Sequence, residues 1–156
     1  MNLPMRRHSL LSRRRQRGAA AIELALVFPI LLVTLGPLIL YARYMWHYTV
    51  AQKAAQDAAR YMANVSVVEM KSKKLAGIAK DVAVEIARRE VAELAPGEDV
   101  LDADVRCGTR TCGTSATLPT DVNVNINFHV FDTFMGIYLP SGILVEANVT
   151  MRYVGK

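Results

Sequence analysis

The chain lacks the marks of an enzyme. It has no nucleophile elbow, no phosphate-cradling glycine loop and no HExxH helix. Its three histidines, His8, His47 and His129, fall in three separate segments. Two cysteines are too few for a zinc site, and their spacing matches no zinc pattern. These absences point to a protein that is not an enzyme and uses no cofactor and no metal. Aromatic residues are also scarce, at 7% of a chain that is 52% hydrophobic. A nucleic-acid arm interleaves aromatics that stack on bases with its basic residues. None stands among the arginines here, so no nucleic-acid partner is expected.

Acidic residues are missing from the first 22 positions, whereas residues 1–18 carry six arginines: Arg6, Arg7, Arg13, Arg14, Arg15 and Arg17. The net charge of +5 comes from that block. From Ala19 onward 13 basic residues face 14 acidic ones. At 156 residues the chain is one domain with an appendage. The arginines stand directly before an apolar run, and basic residues beside a membrane span stay cytoplasmic.

That run, "LALVFPILLVTLGPLILYA" (Leu24–Ala42), has 19 residues and no charge. As a helix it covers about 28 Å, close to the thickness of a bilayer's hydrocarbon core. Tyr41, Tyr44 and Trp46 cluster at its far end, as an interfacial belt would. A secretory signal would end in a small-x-small site after the apolar run. Here bulky residues stand there ("LILYARYMWHY"), and the small ones ("RGAAA") lie at the other end. A peptidase therefore has its better site between Gly18 and Ala19, and cleavage there leaves the membrane helix intact.

An arginine-rich leader ending in Gly18, an apolar helix from Ala19 and a glutamate at the fifth position after the glycine resemble a type IV prepilin. "RGAAAIELALVFPILLV" followed by "YARYMWHYTVAQKAAQDAARYMA" resembles in particular the TadE-like pseudopilins of the tight-adherence (Flp) pilus system. The closing "GILVEANVTMRYV" (Gly142–Val154) is similar to that family's last strand. One departure is Leu24, where the family usually carries Phe or Tyr. The resemblance implies a minor pilin-like subunit of the bacterial inner membrane, single-pass, with a cytoplasmic N-terminus and a periplasmic C-terminal domain. It implies processing by a prepilin peptidase. It further implies partnership with other pilin-like subunits and with the tight-adherence secretion machinery, and leaves open TadE or its relative TadF. The alternative is a permanently anchored periplasmic binding module that keeps its leader.

Glu23 is the one charge between Ala19 and Ala42. Cleavage after Gly18 would give Ala19 a free amine, four residues from Glu23 on the same helix face. The helix dipole favours an anion near its start. Glu23 can then pair with its own amine or with that of a staggered neighbour. The plainer reading is a carboxylate reaching the headgroups, about 6–7 Å from the first helical residue. Pro29 and Pro37 each lack an N–H and free the carbonyls of Ala25 and Val33. Gly36 beside Pro37 makes "VTLGP" the candidate kink.

Beyond the membrane, Tyr44, Tyr48, Ala51, Ala55, Ala58 and Met62 step by three and four, continuing the helix to about residue 63. "EMKSKK" (Glu69–Lys74) reads as a turn or helix start. A second helix over Leu75–Leu94 carries the stripe Leu75, Ala79, Val82 and Ile86, and "APG" (Ala95–Gly97) ends it. Strict alternation then appears around Leu101–Cys107, Asp121–Val130 and Val145–Tyr153, which predicts three antiparallel strands with one apolar face. The expected fold is α+β: a basic leader (1–18), a transmembrane helix (19–42), and a domain (43–156) of helix extension (43–63), second helix and small sheet, the helices covering the sheet.

Cys107 and Cys112, with Gly108 and Gly113 beside them, can close a tight hairpin. A periplasmic location would oxidise them to a disulfide. The apolar "FDTFMGIYLPSG" (Phe131–Gly142) either folds over the end of the core or offers a sticky patch to a partner.

Overall fold

A computed structural model describes residues 10–94, 102–131 and 142–156, with side chains from Gly18 onward. The elements are α1 (Leu10–Ala63), α2 (Val67–Lys71), α3 (Lys73–Ala92), β1 (Asp102–Cys107), β2 (Arg110–Thr111), β3 (Asp121–Val130) and β4 (Ile143–Arg152). The fold is α+β. Its residues fall into two units, Met1–Leu40 and Tyr41–Lys156.

In the first unit α1 contains both Pro29 and Pro37 without a break in the helix. Thr34 turns its hydroxyl back on the helix, donating to the carbonyls of Ile30 and Leu31, each at 3.0 Å. A hydroxyl satisfied within its own helix presents no bare polar group to its surroundings.

In the second unit the sheet order is β2-β1-β3-β4, antiparallel throughout. β3 holds the register from Asp121 opposite Arg152 to Val130 opposite Ile143. Its even-numbered residues Val122, Val124, Ile126, Phe128 and Val130 are buried, while its asparagines are half-buried on the other face. There Asn123 donates to Asn148 at 2.7 Å and to Thr150 at 2.8 Å. The apolar face shares one buried core with Ala51, Ala54, Ala55, Ala58, Ala59 and Met62 of α1, all at 0% exposure.

The end of α1 is fully accounted for. A helix leaves its last four carbonyls without intrahelical partners. Here the Arg60 carbonyl accepts from the Asn64 side chain. Those of Tyr61 and Met62 accept from the N–H groups of Asn64 and Val65. That of Ala63 accepts from both Val154 and Gly155 at the other end of the sequence. Tyr153 adds a 2.8 Å hydrogen bond from its hydroxyl to the Val65 carbonyl. Burial, then Glu69 nearby, pushes that phenol's pKa up and keeps it a donor.

The expected small antiparallel sheet is present, and the structure refines the reading at three places. Beside the three alternating strands stands a short fourth, β2. β2 is only two residues long and both are exposed, so no alternation marks it. The Glu69–Lys74 stretch holds the end of a short helix, α2, and the start of α3. Ser66 caps α2 in a capping box with Glu69, and the Ser66-x-x-Glu69 spacing is the signal that finds it. The buried stripe of α3 is Ala76, Ala79, Ala83, Ala87 and Val91, not the larger aliphatics. Leu75 and Val82 are each 40% exposed and Ile78 is 51% exposed. A strip of methyl groups lets a helix sit closer to its neighbours than a leucine strip does, so packing took the small side chains. "APG" (Ala95–Gly97), Leu101 and most of the apolar Phe131–Gly142 stretch lie outside the described residues.

Candidate functional site: the apolar helix and its acid

Residues 18–40 of α1 present apolar groups in every direction. Successive residues on a helix point about 100° apart. The four from Ile30 to Val33 are 65%, 55%, 51% and 67% exposed, so each side of the helix shows one. Ile22, Leu24, Leu26 and Leu38 are each more than 60% exposed. Leaving a large aliphatic in water forfeits about 1.5–3 kcal/mol. Such a surface calls for lipid or for other helices. The helix is long and apolar enough to cross a membrane, with none of its most apolar stretch buried in the protein.

Ala19 and Glu23 both lie within this helix, one turn apart and exposed. Among the described residues, no hydrogen bond or ion pair holds Glu23. Gly18 also sits inside α1. Glycine costs a helix interior about 1 kcal/mol relative to alanine. A Cβ at position 18 would meet no heavy atom within 4 Å. Packing therefore asks for no glycine there. Gly36 is half-buried beside exposed Pro37.

The cysteines form a disulfide between Cys107 and Cys112, with Cα atoms 4.9 Å apart. It closes the β1–β2 hairpin, whose turn places Gly108 at φ +66°. Cys107 Sγ lies 3.8 Å from the sulfur of buried Met70 on α2. Gly113 has φ +85°, and a Cβ on it would come within 2.8 Å of the Gly77 backbone on α3. Both the backbone angle and this close approach require glycine at 113. The hairpin is thereby pressed against α2 and α3.

The histidines do not converge. His8 is outside the described residues, and His129 is half-buried on β3. His47 is 3% exposed on α1. Its Nδ1–H donates to the Arg43 carbonyl at 2.8 Å, and its ring lies 6.4 Å from that of Phe128. With the proton on Nδ1, Nε2 is buried without a hydrogen-bond partner among the described residues. Glu90 on α3 faces Lys53 and Asp57 of α1, with Lys53 Nζ at 3.9 Å. Burial, then the Asp57 carboxylate, raises the Glu90 pKa, and Lys53 offsets only part of this.

The family model described as TadE-like protein matches residues 18–60. The match begins at the glycine of the candidate cleavage site and ends three residues before the end of α1 at Ala63. The likeness of Gly142–Val154 to the family's closing strand falls outside it. No curated protein and no solved structure matches the chain.

Proposed function

We propose that the chain is a minor pilin-like subunit, a structural component and not an enzyme, held in the inner membrane by residues 19–42. In this reading a prepilin peptidase cuts after Gly18 and removes the arginine leader. The apolar helix stays in the membrane until the subunit joins other pilin-like subunits at the tight-adherence machinery. The cytoplasmic side carries residues 1–18, and the domain from residue 43 lies in the periplasm.

One observation carries the reading: a glycine that the fold does not need stands at the start of both the family match and the exposed apolar helix. The new amine on Ala19 would lie one helical turn from Glu23. That spacing suits an ion pair within one subunit, or between staggered subunits whose helices exchange partners. In the low dielectric of a membrane, such pairing is what makes a carboxylate at that depth tolerable. Pro29, Gly36 and Pro37 supply a place for the helix to bend as it leaves the bilayer.

Intact-mass measurement on protein from cells with an active prepilin peptidase is the direct test. The expected first residue is Ala19. A retained Met1–Gly18 segment overturns the subunit reading in favour of a fixed membrane anchor. Glu23→Gln should leave membrane insertion unchanged and reduce pilus production at least tenfold, scored by surface pili per cell, in line with about 1.4 kcal/mol or more lost from assembly.

A further inference from the structure

β3 runs back along α1. At one end of the domain Tyr153 N–H donates to the Thr120 carbonyl and Val154 N–H to that of Ala63, which sets the start of β3 level with the end of α1. At the other end Phe128 stacks obliquely on His47, with ring centroids 6.4 Å apart. The two paths agree in length. Sixteen residues of helix and seven of strand each cover about 23–24 Å. Beyond Phe128 the strand runs two more residues to Val130 and the chain reaches Phe131 just past it, about 10 Å further in the direction of Tyr41.

Among the described residues, this end of the domain exposes large apolar groups. Trp46 is 65% exposed and Tyr41 is 61% exposed on α1. Phe131, just past β3, is 38% exposed, and Leu144 on β4 is 51% exposed. Phe131 is also held in place. Gly142 has φ +71°, and a Cβ there would come within 3.2 Å of the Phe131 ring. These groups occupy the helix, the strand end and the outer face of the sheet. Their scatter around one end suits a flat partner better than a peptide in a groove.

We propose that this end of the domain rests in the headgroup layer of the bilayer, with Trp46, Phe131 and Leu144 as the contacts. The proposal rests on the reading that residues 24–42 span the membrane. From Ala42 to His47 is five residues, or about 7.5 Å of helix, which matches the roughly 5–8 Å of headgroup zone on one side of a bilayer. Strand ends that reach back beyond His47 then meet the zone where aromatic rings are favoured. The domain is thus seated on the membrane surface by a second attachment in addition to its helix.

The single tryptophan makes the test direct. The full chain is reconstituted in vesicles of phosphatidylethanolamine and phosphatidylglycerol bearing brominated acyl chains, which quench nearby indoles. Wild-type protein reports position 46. In a Trp46→Phe background, Phe131→Trp and Leu144→Trp report the seated end, and Val154→Trp reports the far end, where Val154 is 69% exposed. Two seated positions keep the result readable if one variant folds poorly, and the disulfide serves as a check on folding. Quenching at positions 131 and 144 should exceed that at 154 by about threefold, with matching protection from aqueous iodide. Quenching at 131 and 144 equal to that at 154, with position 46 strongly quenched, overturns the proposal and leaves the membrane span standing. An unquenched position 46 overturns both.

Discussion

α1 is one helix with two surfaces. Between residues 22 and 39 its large aliphatics are exposed on every side, while between residues 51 and 62 its alanines are sealed at 0% exposure. The backbone hydrogen-bonding scheme is the same in both. The difference lies in side-chain size and in what stands against it. Large groups all round give a surface that only lipid or other helices can cover. A one-sided alanine strip, with Lys53, Gln56 and Arg60 opposite, gives a face made to sit on a sheet. Helix formation here says little about role, whereas side-chain distribution says much.

A charge separates the two surfaces most sharply. Leu31→Arg should abolish stable membrane integration, since a cation at mid-helix costs about 3 kcal/mol in the bilayer. Gln56→Arg, on the exposed side of the second stretch, should integrate like wild type. Carbonate extraction of membranes distinguishes them. Bulk gives the next largest effect. Ala55→Leu should destabilise the domain by about 1–3 kcal/mol through overpacking, while Leu31→Ala leaves its melting temperature unchanged in detergent.

Removing the disulfide should be milder. Cys107→Ser with Cys112→Ser should lose about 2 kcal/mol in the chain-entropy account. Thermal melts with and without reductant check this, and reductant should leave the double variant unaffected.

The smallest effect is on Glu90, whose pKa is raised above its ordinary 4.5. A carboxyl with a raised folded pKa loses stability as pH climbs past the unfolded value. Glu90→Gln should therefore raise the melting temperature slightly at pH 7, with the gain gone below about pH 4. Loss of the Lys53 contact costs little, because that lysine is 71% exposed.

The parts of the fold that were readable in sequence are those where polarity and periodicity coincide. "DVNVNINFHV" alternates apolar and polar residues without a fault, and the strand buries the apolar set. The alanine pattern of α1 was equally plain. α3 was not, because ranking its residues by hydrophobicity selects Leu75 and Val82, whereas close packing selected Ala76 and Ala83. β2 carries no pattern at all, and α2 announces itself only through Ser66 and Glu69. For the candidate site, the spacing of Gly18, Ala19 and Glu23 was legible because it is local in sequence. The seating of Phe131 over Gly142 was not, because it depends on where a strand ends.

The Ala63 carbonyl, shared by the N–H groups of Val154 and Gly155, ties together segments some 90 positions apart. A helix end normally frays by itself, and so does a strand end. Here neither can loosen without releasing the other, so the far end of the domain opens as one cooperative unit or stays shut.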